Sequence, residues 1–338
     1  MTGIMMVLLL ASQPVFLASD INDYVKSLVA LPDGRVLFVD NNSDFWTVSC
    51  DFPGEKEEWL SFWDHSACGW ANVIRVSWLS GSWNGESICY AVTVTAGEDV
   101  HVPEMVLVCD SDGSNAEPVA LSMNVGSGPQ FDFTMDSRFL YGNPLLSCSP
   151  DVNSYVESTE GSSELPWADM IEIATGERSY HGVLSDGYYA CPFSDIVSCA
   201  SDPPSVIYDM NSSKILLEVS DDESPVINKW VLPDAGLVTI GDNQFLRYSD
   251  GREILNTGDK ITVYAVVGDG RYLYRQDNAD AIFLAEIDWD NFQTFNPVEQ
   301  PGLTGYIRSR SWGTYAVQGD VLYFLRSDSL FCYSFLTD

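Results

Sequence analysis

The chain has 338 residues, and its 16 basic against 49 acidic side chains give a formal net charge of −33 and a pI near 4.1. Such a surface repels phosphate backbones and anionic lipid, which argues against nucleic-acid binding and against membrane insertion. Hydrophobic residues at 46% and aromatics at 12% supply a packed core and exclude a disordered chain.

In chain order, Ile4 to Leu10 is an uncharged apolar run with no Lys or Arg before it. It lacks the charged region of a signal peptide and is too short to cross a bilayer, so it reads as a buried strand of a soluble protein. Asp33-Gly34-Arg35-Val36-Leu37-Phe38 comes next and is echoed by Asp269-Gly270-Arg271-Tyr272-Leu273-Tyr274 and, more loosely, by Gly319-Asp320-Val321-Leu322-Tyr323-Phe324. A run of strands repeated along a chain predicts a radial all-β array.

Period-two patterning between Gly, Pro, Asp, Asn and Ser clusters divides the chain into seven units. The first holds Val36 to Asp40 and Phe45 to Cys50. Glu55 to Trp63, which follows, is the one stretch with room for a turn or two of helix. The second unit holds Val73 to Trp78, Ser87 to Thr95, Met105 to Asp110 and Val119 to Leu121. Later units begin at Phe131, Tyr188, Trp230, Val263 and Tyr315. The last shows only three strands, so Ile4 to Leu10 is predicted to pair with Leu330 to Phe335 and close the array. The expected fold is all-β, one β-propeller domain over residues 1–338, with seven blades closed by an N-terminal strand.

Met105 to Cys109 followed by Asp110-Ser111-Asp112-Gly113-Ser114-Asn115 resembles the repeat of the TolB and PD40 group of WD40-like propellers. Ile171-Glu172-Ile173-Ala174-Thr175-Gly176-Glu177 resembles another form of the same turn, with Glu172 or Ala174 where Asp is usual. Pro32-Asp33-Gly34-Arg35 is similar to the opening of such blades. The resemblance implies a propeller and no activity, because these motifs shape turns.

None of the eight cysteines forms a C-x-x-C pair, so no zinc ribbon is indicated. Cys50, Cys89, Cys109 and Cys332 lie in apolar strand-like runs, where a free thiol serves as a small core residue. Cys191 with Cys199 is the most plausible local disulfide. Compartment stays open.

Read for chemistry, the Asp110 to Asn115 loop has Leu121 where a calcium loop needs its bidentate Glu, so it reads as a turn. His65, His101 and His181 are scattered, and there is no G-x-S-x-G elbow. Neither metal nor cofactor is expected. Asp132, Asp136, Asp186, Asp234 and Asp269 fall near strand starts, where carboxylates at a central axis would suit glycoside hydrolysis or a lyase. Trp59, Trp63, Trp70 and Trp83 fall in or beside early loops and are the candidate binding residues, against the alternative that they pack between sheets. The connection from Gly54 to Trp70 is the best candidate loop. The leading function is a non-catalytic scaffold for protein, peptide or glycan, with the axial-carboxylate enzyme as the alternative. The expected state is a monomer or a module of a larger assembly.

Overall fold

Short apolar runs punctuated by Gly, Asp and Asn form strands that pair with their neighbours in sequence as antiparallel hairpins. The computed structural model describes residues 13–22, 25, 27–60, 72–82, 84–95, 104–122, 131–134, 137–146, 167–179, 188–190, 196–199, 205–209, 214–219, 231–232, 237–239, 244–247, 252–255, 261–268, 270–276, 281–289, 293–307 and 315–336.

After β1 (Val15–Ala18), the strands β2 (Val29–Ala30), β3 (Arg35–Val39), β4 (Phe45–Ser49) and β5 (Glu57–Leu60) form the first sheet in that order. β6 (Asn72–Gly81), β7 (Ser87–Thr95), β8 (Glu104–Asp110) and β9 (Glu117–Ser122) form a second meander. β10 (Phe131–Phe133), β11 (Phe139–Leu146), β12 (Trp167–Glu172) and β13 (Arg178–Ser179) join it as one eight-stranded sheet, through Leu145 and Leu146 opposite Ser122 and Leu121. Pro144 interrupts β11 because it has no N–H to give, and the register with β12 shifts between Tyr141 and Leu145.

Three more four-stranded sheets follow: β14 (Tyr188–Ala190), β15 (Ile196–Cys199), β16 (Ser205–Asp209) and β17 (Lys214–Val219); β18 (Val231–Leu232), β19 (Leu237–Thr239), β20 (Gln244–Arg247) and β21 (Arg252–Leu255); β22 (Ile261–Gly268), β23 (Arg271–Gln276), β24 (Ile282–Asp288) and β25 (Gln293–Glu299). The last sheet contains β26 (Tyr315–Gln318), β27 (Val321–Arg326) and β28 (Ser329–Ser334), and takes its fourth strand, β1, from the other end of the chain.

The core lies between sheets. Phe45 and Leu37 of the first sheet pack with Val76, Leu79, Tyr90 and Leu107 of the second. Val36, Phe38 and Val48 pack with Leu17, Tyr323, Leu330 and Cys332 of the last. Tyr264, Leu273 and Leu284 pack on the last sheet's opposite side, against Leu322, Phe324 and Tyr333. The last sheet is thus sandwiched between the first and the β22–β25 sheet.

Three expectations change. The strand that pairs with β28 is Val15–Ala18, with Val15 opposite Cys332 and Phe16 opposite Phe331; Ile4 to Leu10, predicted for that place, lies outside the described residues. Glu57 to Leu60 is strand rather than helix, because β4 offers it a ladder (Trp46 opposite Glu58, Thr47 opposite Glu57). Arg35 also reaches across to Glu57 at 2.7 Å, and tertiary pairing overrides a helix-compatible local sequence. Finally, Cys50 and Cys332 are not free core thiols: they form a disulfide across 282 residues, with Cα atoms 6.0 Å apart. Sequence spacing hides a pair of which one half directly follows β4 and the other lies within β28. Cys89 and Cys109 are buried, and burial pushes the Cys109 thiol up to about 12, helped by the charges of Asp110 and Asp112. Cys191, half of the expected local pair with Cys199, lies outside the described residues.

Candidate functional site

The loops that would form any site stand on a repeated corner. At Leu31–Arg35, Asp40–Asp44 and Asp110–Ser114 the fourth residue's N–H donates to the first residue's carbonyl, at 3.1, 3.0 and 2.9 Å. The first residue's N–H donates to the fifth residue's carbonyl, at 2.8, 3.0 and 3.0 Å. This geometry needs a left-handed fourth residue, which is Gly34 (φ 88°), Ser43 (φ 68°) and Gly113 (φ 80°).

Where the sequence has a carboxylate at the corner's first position, the carboxylate is used by the corner. Asp40 is 4% exposed; its Oδ1 accepts from the N–H groups of Asn42 and Asp44, and its Oδ2 from the Trp46 indole at 2.9 Å. Asp110 Oδ2 accepts from Asn115 Nδ2 at 2.7 Å and from the Ser114 hydroxyl at 3.4 Å. In the wider corner at Glu172–Glu177, Glu172 does the work expected of Asp, accepting from the Thr175 hydroxyl at 2.6 Å and from Arg138 Nε at 2.7 Å. The Thr175 hydroxyl, then Arg138, hold its carboxyl below the usual range. The Asp110–Asn115 loop is therefore a self-bonded turn. Among the described residues no group of three His, Cys, Asp or Glu is placed to hold a metal ion.

Trp59 is half-buried at the start of the Gly54 to Trp70 connection. Its indole Nε1 donates to the Ser111 carbonyl at 2.8 Å, and its ring lies 5.5 Å from Phe45. A methyl group on Gly113 would sit 3.4 Å from the same ring. Trp59 thus ties the outer strand of the first sheet to the corner between β8 and β9. Trp63, Trp70 and Trp83 lie outside the described residues, as do His65, His101, His181, Asp136, Asp186, Asp234 and Asp269. Asp132 sits in β10 opposite Tyr141.

Sequence reasoning passed over Glu104, the first residue of β8. Alternation puts it on the face of Val106 and Val108, toward β10–β13. It is 7% exposed, opposite Thr93 of β7 and Ser122 of β9. The Ser77 hydroxyl, which bonds the Glu104 carboxyl, also donates to the Ala91 carbonyl at 3.2 Å. Burial raises Glu104 to about 7, against the opposing pull of Ser77 and Arg75. Its Oε2 and the Thr93 hydroxyl have no hydrogen-bond partner. The signal in the sequence was a lone Glu heading an apolar run that alternation buries on both faces.

Among the described residues no helix is long and apolar enough to cross a membrane. No protein-family profile matches the chain, and no curated protein matches it. Solved structures do match. One, titled "Crystal Structure of Mitotic Checkpoint Complex", superposes with a TM-score of 0.52 at 12% identity, over 96% of this chain and 93% of that one. That likeness, with the stacked four-stranded meanders, shows a propeller-like all-β fold.

Proposed function

We propose that residues 1–338 form a single seven-bladed propeller acting as a non-catalytic interaction scaffold, which holds a protein or peptide on a loop-built face. The blade count follows from taking the eight-stranded sheet as two blades, β6–β9 and β10–β13, joined by a short contact. The corners at Asp110 and Glu172 favour the TolB and PD40 type among propellers.

The observation that carries the functional reading is the use made of the described corner carboxylates. Asp40, Asp110 and Glu172 are committed to bonds that fix loop shape, which suits a rigid surface for recognition rather than a set of groups held free for proton transfer. The structure it resembles is titled as a complex, which fits a role in binding protein. The contact surface is assigned to the Gly54 to Trp70 connection, with Trp63, Trp70 and Trp83 as the proposed anchors and Trp59 as its tether.

The test is capture of partners by the immobilised chain, beside an acidic control protein of matched net charge. The expected result is a stoichiometric partner absent from the control and lost with Trp63→Ala/Trp70→Ala. Recovery of only those basic proteins that the control also binds would overturn the reading.

A further inference from the structure

Besides apolar packing and the backbone bonds of residues 20–22, two features fasten the first and last sheets. One is β1, which belongs to the last sheet and leads directly into the first. It is a weak lock: four residues long, with a register shift between Phe16 and Ala18, and with Val15 and Phe16 39% and 51% exposed. The other is the Cys50–Cys332 disulfide, which ties β4 of the first sheet to β28 of the last and bypasses β1 altogether. Around it the Tyr323 hydroxyl donates to the Gly34 carbonyl at 2.8 Å and accepts from the Cys50 N–H at 3.3 Å.

With the disulfide in place, departure of β1 leaves the two sheets joined. Without it, the described residues hold them through β1, the side chains at the junction and the short backbone link at residues 20–22, where the Ile21 N–H donates to the Asp328 carbonyl at 3.1 Å and the Asn22 N–H to the Val39 carbonyl at 2.9 Å. We propose that the Cys50–Cys332 disulfide is a redox clasp: its reduction releases the junction between the first and last sheets while the second sheet stays folded.

The step balances with a dithiol as reductant. A thiolate of the dithiol attacks Sγ of Cys50, the half-buried partner, and the S–S bond breaks with Cys332 leaving as thiolate and taking a proton from water. The dithiol's second sulfur then resolves the mixed disulfide, freeing the Cys50 thiol and closing the reductant into its own disulfide. Two electrons and two protons pass to the protein. Cys332 is fully buried, and a buried thiolate is a poor leaving group. Reduction is therefore coupled to opening of the junction.

The experiment is hydrogen exchange read by peptide mass on the full chain, oxidised and after dithiothreitol, with Cys50→Ser/Cys332→Ser as a third sample. A non-reducing peptide map confirms the bond. The expected result is exchange faster by on the order of tenfold or more in β3, β4, β27 and β28 on reduction, with β7 and β8 unchanged. The double variant should exchange like the reduced chain and ignore dithiothreitol. Absence of a peptide linking Cys50 to Cys332, unchanged exchange on reduction, or equal acceleration in β7 and β8 would each overturn the proposal. So would a folded double variant that still responds to dithiothreitol. Should that variant not fold, the reduced and oxidised natural chains decide the matter alone.

Discussion

The first sheet meets its two neighbours by different means. Against the second sheet it uses packing: Phe45 is fully buried and stands edge-on to Tyr90 at 5.1 Å, and the backbone of Gly81 lies so close to Val29 that a methyl group there would collide with it. Against the last sheet it uses a covalent bond and the hydrogen bonds of Tyr323, around a smaller apolar cluster. β5 and β6 are consecutive strands in chain order, whereas Cys50 and Cys332 are 282 residues apart. Bringing distant segments together costs more chain entropy than joining consecutive ones. In the chain-entropy model a cross-link over such a loop offsets about 5.6 kcal/mol of that cost. Packing suffices for the near junction; the far one is clasped.

The largest way to separate the two junctions is Phe45→Ala. Emptying a fully buried ring site between the first and second sheets should cost about 3–5 kcal/mol. Urea denaturation would read this as a lower midpoint with unchanged slope. The difference in midpoint between oxidised and reduced protein should survive, since the clasp lies at the other junction. Loss of that difference would mean the two junctions are one cooperative unit.

Glu104 gives the second sheet a pH dependence that the clasp lacks. Its folded value, about 7, lies above its ordinary value of 4.5. Stability from the protonated carboxyl is therefore complete below about pH 4.5 and is lost as pH rises through 7. Ser77 and Arg75 on β6, which favour the charged form, and Thr93 on β7 are the groups around it. Glu104→Gln, which buries no charge at any pH, should be more stable than the natural chain by on the order of 2 kcal/mol at pH 9. That gain should vanish near pH 4. Thermal melts across this range check it, and a gain independent of pH would remove the titration argument.

How much of this was legible in the sequence follows the range of the interaction. β7 was predicted at Ser87 to Thr95, where it is observed, and β6, β8 and β9 within a few residues, because alternation and Asp-Gly corners are local signals. The role of Asp110 was legible for the same reason, since its partners lie within five residues. Glu57 to Leu60 was misjudged because what makes it a strand is β4 and Arg35, and the helix-compatible local pattern carries no trace of them. The Cys50–Cys332 bond was invisible because eight cysteines permit many pairings and only the meeting of the chain's two ends selects this one. Glu104 was overlooked because its burial depends on strands on both sides.

Gly81→Ala probes the near junction more gently than Phe45→Ala. The added methyl would meet the Cγ1 of Val29, and that side chain or the strand behind it must move. Overpacking of this kind should cost about 1–2 kcal/mol, the lower part of its usual range, because β2 is only two residues long and can yield. Calorimetry should show a lowered melting temperature with the response to dithiothreitol intact. An unchanged melting temperature would show that the first two sheets are not in tight contact at this point.

Tyr323→Phe tests the far junction with the smallest change. Burial, and then the charges of Asp51 and Asp33, raise the Tyr323 hydroxyl above its ordinary value, and the Cys50 N–H it accepts only partly opposes this. The hydroxyl therefore keeps its proton at neutral pH and stays a donor to Gly34. Removing it leaves the Gly34 carbonyl and the Cys50 N–H to find other partners, at about 1 kcal/mol in the oxidised protein. Because one of the lost bonds is to the amide of a clasp residue, its cost should differ once the disulfide is reduced. A cycle of four denaturation curves, natural and Tyr323→Phe chains each oxidised and reduced, measures that coupling. A cost that is the same in both redox states would mean that the hydrogen bonds and the disulfide fasten the junction independently, and that the clasp does not set the geometry around Gly34.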